Sequence, residues 1–129
     1  MSRATLAMYA FCILLAAPNT WAHHSATAYD LKRTVALKGV LKELNFENPH
    51  VNLILDVKGD DGKIVSYRIE GNPPGWFRQA GIRRADFDKG IGQPVTVDVH
   101  PSKDGAPIGY FQKITFADGT YLRFADVTQ

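Results

Sequence analysis

Alternating apolar residues constrain the fold of this chain more than any other feature. Two segments carry an apolar residue at every second position: Val51, Leu53, Leu55 and Val57, then Val95, Val97 and Val99. Alternation at period two places all these side chains on one face of a β-strand. The sequence therefore predicts a mainly β fold whose strands bury one face.

The remaining strands are predicted from the same alternation and from turn residues. The alternation that begins at Val35 changes phase before Leu44, which predicts a β-bulge near Lys42-Glu43. Asp61-Gly62 predicts the hairpin that leads into the third strand. The other predicted strand residues are Val65, Tyr67 and Ile69 in the third strand, Tyr110, Gln112, Ile114 and Phe116 in the fifth, and Tyr121 to Phe124 in a short last strand.

A short helix is predicted between the third and fourth strands. Asn72 is a candidate N-cap, Pro73-Pro74 suit the first turn, and Gly81 suits the position just past the end. The predicted apolar face of this helix, expected in the core, consists of Trp76, Phe77 and Ala80. The pattern as a whole predicts strand, strand, strand, helix, strand, strand.

That order predicts an all-β fold with one short helix, namely a small OB-like Greek-key β-barrel (β-β-β-α-β-β) over residues 34–129. A small β-sandwich is the alternative, but a helix between the third and fourth strands argues against it. Residues 23–33 are expected to precede the barrel.

Residues 1–22 are predicted to form a cleavable signal peptide. Arg3 gives a basic start, residues 6–17 form an apolar run, and Ala22 is the small residue expected at the cut. The run is shorter than the roughly 20 residues that span a bilayer. We therefore expect a periplasmic or secreted protein without a membrane anchor. Its only cysteine, Cys12, would be removed with the leader, which excludes disulfides and thiolate chemistry.

Charge and motifs exclude several classes of function. The 15 Lys and Arg residues nearly balance the 13 Asp and Glu residues, so we expect no nucleic-acid partner. The chain has no Gly-x-Ser-x-Gly elbow, no His-Glu-x-x-His helix and no phosphate-binding Gly-x-x-x-x-Gly-Lys loop. The motifs therefore do not predict an enzyme.

The predicted cut would leave His23 as the first residue of the exported chain, followed by His24. The α-amine and Nδ1 of His23 can then chelate one metal ion. Nitrogen donors in a flat arrangement suit Cu(II), so copper is the candidate cofactor. His24 offers a second, competing mode through the amine, the intervening amide and its own ring.

His50 is predicted to supply the third nitrogen of this metal site. It follows Asn48-Pro49 where a loop becomes a strand, and it should face outward or toward the barrel rim because Val51 points inward. His100, at the end of the fourth strand, is also expected to face outward and to be a supporting ligand.

Other interpretations stay open beside the metal site. His23-His24 also suits a polar terminus, His50 a structural residue bonded to a loop carbonyl, and His100 a solvated surface residue. The alternative function is a metal-free module that binds an unidentified protein or small molecule through the barrel face and the loop over residues 101–107. Its candidate contact residues are Tyr67, Glu70, Lys103 and Phe111. Glu70 is also a candidate ligand, or a hydrogen-bond acceptor for a ligating histidine.

The chain resembles a family of small exported bacterial proteins classified as domain-of-unknown-function family 6152. The motifs that carry the resemblance are Ala22-His23-His24-Ser25, Leu37-Lys38-Gly39, Asn48-Pro49-His50-Val51, Leu55-Asp56-Val57, Glu70-Gly71 and Lys103-Asp104-Gly105. The resemblance implies export and a single small β-rich domain. It brings no established activity.

Overall fold

The computed structural model describes residues 26–124. The strands are β1 (Val35–Asn45), β2 (Asn52–Lys58), β3 (Ile64–Glu70), β4 (Pro94–Pro101), β5 (Ile108–Thr115) and β6 (Tyr121–Arg123). One α-helix, α1 (Pro74–Gln79), follows β3, and short 3₁₀ segments span Ala26–Ala28 and Arg84–Gly90. His23, His24 and the predicted signal peptide lie outside the described residues. Within residues 26–124, no helix has the length and apolar character needed to cross a membrane.

The strands close into a five-stranded barrel. β1 pairs antiparallel with both β2 and β4, and the β2–β3 and β4–β5 pairs are also antiparallel. β5 then runs parallel to β3, with Glu70 opposite Tyr110, and this pairing completes the circuit. The predicted OB-like barrel with one short helix is confirmed, and the sandwich alternative is excluded.

Bulges in β1 and β5 decide which side chains face the interior. The predicted bulge in β1 is confirmed by a register shift between Leu41 and Glu43. A second shift pairs Asp98 with Lys113 but Val99 with Phe111, which leaves Gln112 as the extra residue of β5. The prediction that Tyr110 shares the inward face of the fifth strand with Ile114 and Phe116 was therefore wrong. On the N-terminal side of the bulge, Phe111 is the buried residue.

An aromatic cluster fills the core beneath α1. Phe77 is fully buried, and its ring centroid lies 5.1–5.7 Å from those of Phe46, Phe111 and Phe124 and 6.3 Å from that of Phe87. Aromatic pairs at such distances add to the free energy of burial. Phe77 thus anchors the helix between β3 and β4.

Two predictions about the helix were wrong. The N-cap is Pro73, without a side-chain capping bond; Asn72 instead accepts a hydrogen bond from the Tyr110 hydroxyl at its Oδ1 atom. Trp76 is 52% exposed and Ala80 is also exposed, because a six-residue helix turns only one narrow face inward. The prediction for Gly81 is confirmed by its φ of 79° just after the helix.

Candidate metal-binding site

His50 lies two residues before β2, beside the end of β3. Its Nδ1 atom is 3.2 Å from the carbonyl oxygen of Gly71. A carbonyl oxygen only accepts, so Nδ1 carries the proton and Nε2 of the neutral ring keeps its lone pair. Backbone hydrogen bonds join the same two segments, from Gly71 N to Val51 O at 2.7 Å and from Val51 N to Asn72 O at 3.1 Å. The ring is therefore held in one orientation on a paired backbone.

Nε2 of His50 faces the carboxylate of Glu70, the last residue of β3. The distance from Nε2 to Oε1 is 3.6 Å, and the two side chains are 34% and 12% exposed. The other carboxylate oxygen, Oε2, accepts a hydrogen bond of 3.0 Å from the Tyr29 hydroxyl. The β2–β3 register, which places Asn52 opposite Glu70, accounts for this proximity.

Tyr29 joins the beginning of the described chain to this cluster. It is only 2% exposed and forms an isolated β-bridge with Ser102. Flanking backbone bonds run from Lys103 N to Ala28 O at 3.0 Å and from Asp30 N to Pro101 O at 2.9 Å. The segment that leads toward His23 is thus fixed beside Glu70.

A second tyrosine completes the polar cluster. The ring of Tyr110 lies 5.5 Å from that of Tyr29, and its hydroxyl donates to Asn72 Oδ1 at 2.6 Å. Burial, and then the negative charge of Glu70, raise the pKa of both phenols above the ordinary value. Both hydroxyls therefore remain hydrogen-bond donors well into the alkaline range.

The raised phenol pKa values predict a loss of stability at high pH. Unfolded tyrosines release their protons near pH 10, whereas folded Tyr29 and Tyr110 keep theirs. The free energy of unfolding should be unaffected by these groups below about pH 10 and should fall as the pH rises above it. Urea denaturation across this range measures the fall, and Tyr29→Phe should reduce it. Ionisation of folded Tyr29 near pH 10, seen in its ring ¹³C resonance, would contradict this expectation.

His100 is not part of the cluster. Its Nδ1 atom is 2.6 Å from the carbonyl oxygen of Arg33. Between residues 26 and 124, no three His, Cys, Asp or Glu side chains are grouped so that they could hold a metal ion. Within this part of the chain, His100 therefore does not complete a site with His50 and Glu70.

The remaining predicted contact residues are dispersed. Tyr67 is half-buried in β3, well along the strand from the polar cluster. Phe111 is 1% exposed and packs against Phe77 and Phe87, so it presents no surface to a ligand. Lys103 is exposed at an open groove of about 640 Å³, which is lined by Thr27, Tyr29, Asp30, Leu31, Lys32 and Lys103.

A known protein family matches the part of the chain that contains the polar cluster. The model of a family described as "Family of unknown function (DUF6152)" matches residues 11–111, well over half of the chain. Tyr29, His50 and Glu70 all lie inside the matched range. No curated protein matches the chain.

Proposed function

Since the chain belongs to DUF6152, a family of unknown function, we propose its function from its own residues: it is an exported protein that binds copper through His23 and His50. His23 contributes its α-amine and ring after cleavage at Ala22. His50 contributes Nε2. The protein carries or buffers the ion.

The orientation of the His50 ring is the observation that carries this proposal. Histidines that ligate metals almost always donate their other ring N–H to a carbonyl or carboxylate, which fixes the tautomer and aims the lone pair. His50 has this arrangement through Gly71 O. Its side chain is also 34% exposed, so the side chain is open to an ion from solvent.

The position of Tyr29 supports the second half of the proposal. The 3₁₀ segment Ala26–Ala28 advances only about 2 Å per residue, and the three steps from His23 to Ala26 can add up to about 10 Å of extended chain, which gives a reach of about 16 Å from Tyr29. Tyr29 contacts Glu70 directly, and Glu70 faces His50. A terminal His23 therefore has the reach to share an ion with Nε2 of His50.

Titration of the protein that begins at His23 with Cu(II) tests the proposal. We expect one ion per chain, and we expect His50→Gln to weaken Cu(II) binding by at least about tenfold, which is about 1.4 kcal/mol. His100→Gln is the matched control, because that ring also points Nδ1 at a backbone carbonyl but lies outside the cluster. Equal affinity of the wild type and His50→Gln would overturn the proposal, as would a wild type that binds no Cu(II). The intact mass of the exported protein checks the cut after Ala22.

A metal-free binding module is the second candidate function. The groove beside Lys103 favours it, because Leu31 is exposed there next to two lysines. Apolar surface with a few polar groups is the usual lining of a small-molecule site. Failure of the Cu(II) titration, together with a ligand that shifts the amide resonances of Leu31 and Lys103, would favour this function over copper binding.

A further inference from the structure

We infer that Glu70 is an oxygen ligand of the same ion, so that His50 and Glu70 form a two-donor site for a divalent cation, Cu(II) or Zn(II), and not for Cu(I). This inference rests on the proposed metal-binding function and adds one ligand and the class of ion. Both donors lie within the described part of the chain.

The separation of the two donor atoms suits a shared ion. Histidine nitrogen and carboxylate oxygen bind Zn²⁺ at about 2.0–2.2 Å. Nε2 and Oε1 are 3.6 Å apart, so one ion can lie at that distance from both, with an angle of roughly 110–130° between the bonds. A tetrahedral Zn²⁺ fits this angle directly. A planar Cu(II) fits after the donors approach each other by less than about 1 Å.

The surroundings of Glu70 supply a second, independent argument. The carboxylate is largely buried, and among residues 26–124 its one basic neighbour within 4.0 Å is the His50 ring, without a Lys or Arg nitrogen. Buried charges are normally paired or coordinate a metal. Tyr29 holds Oε2 and leaves Oε1 directed at Nε2. Each donor side chain thus has an outer hydrogen-bond partner, as metal ligands usually have.

The distribution of sulfur-containing residues favours Cu(II) and Zn(II) over Cu(I). Cu(I) prefers thiolate and thioether ligands, whereas imidazole and carboxylate suit divalent ions. Met1, Met8 and Cys12 are the only sulfur-containing residues of the chain. The barrel therefore has no soft ligand to offer, and its donor pair favours the divalent ions.

The test compares wild type, Glu70→Gln and Asp56→Asn, each beginning at His23. Glu70→Gln should weaken Cu(II) and Zn(II) binding by about 10- to 100-fold and change the copper EPR spectrum while the number of bound nitrogens stays the same. Asp56→Asn is the matched control, since that carboxylate also accepts from a hydroxyl, Ser66 Oγ at 2.5 Å, but lies away from His50. Both Asp56→Asn affinities should equal those of the wild type.

The outcomes separate this inference from the proposed function. A wild type that binds Cu(II), with unchanged affinity and spectrum in Glu70→Gln, overturns the Glu70 ligand and leaves copper binding intact. A wild type that binds no divalent ion overturns both. Tighter binding of Cu(I) than of Cu(II) overturns the class of ion. Should Glu70→Gln fail to fold, the ¹³C resonance of the wild-type Glu70 carboxylate on Zn(II) addition decides, because only a ligand shifts strongly.

Discussion

Replacing Phe77 with alanine is expected to lower the free energy of unfolding by about 3–5 kcal/mol. The side chain is fully buried and contacts four other aromatic rings, so its removal leaves a cavity between α1 and the barrel. Domains of this size are typically stable by only about 5–15 kcal/mol. The variant should therefore be close to unfolding at moderate temperature. Urea denaturation followed by far-ultraviolet circular dichroism measures the change.

Trp76→Ala is the matched control for this prediction. Trp76 is the larger aromatic residue of the same helix, but it is 52% exposed. Its replacement should cost no more than about 1 kcal/mol, because exposed substitutions rarely exceed that. Equal destabilisation by the two variants would contradict the assignment of Phe77 as the buried anchor of α1.

The strand order was predictable because its signals are local. Period-two alternation identifies a strand from neighbouring residues, and the phase change before Leu44 marks the bulge in β1. The bulge at Gln112 carries no such signal, since it arises where β5 pairs with β4, a strand more than ten residues earlier. The facing of Tyr110 and Phe111 was therefore mispredicted.

The prediction of the helix N-cap failed for the same reason, a contact between residues that are distant in the sequence. Asn72 is a favourable capping residue by type, yet its side chain instead accepts the hydroxyl of Tyr110, 38 positions away. The residues around Asn72 give no sign of this tertiary hydrogen bond, which takes the place of the local capping bond. The family resemblance, by contrast, was readable from short motifs and is confirmed by the match over residues 11–111.

The sequence predicted His50 and Glu70 individually as site residues, but it did not predict that they lie next to each other. His50 and Glu70 stood out by their chemistry and by their places at strand ends. Their proximity depends on the β2–β3 register, which the Asp61-Gly62 turn signal alone does not determine. Tyr29 was missed altogether, because its bond to Glu70 joins residues 41 positions apart and nothing near Tyr29 indicates it.

Adding three alanines before His23 is expected to weaken Cu(II) binding by about 100-fold or more. The proposed site gains affinity because the α-amine and ring of one residue are linked donors, and linkage typically contributes about 10²- to 10⁴-fold. The extension moves the amine away and leaves both rings, His50 and Glu70 unchanged. Three residues are used so that neither histidine falls within the first three positions, where amine, amides and imidazole together can bind copper. Competition with a chromophoric chelator measures the affinity.

The same three alanines placed after Gln129 provide the control, and this variant should bind Cu(II) as the wild type does. The extended and unextended proteins also divide the site into its two halves. If the extended protein still shows one ring nitrogen in its copper EPR spectrum and this signal is lost in His50→Gln, the barrel holds its half of the site alone. This is the expected result, because the contacts that orient His50 and Glu70 come from within residues 26–124. If the extension leaves the affinity unchanged, the amine of His23 is not a ligand, because the loss of a chelating donor cannot be without effect.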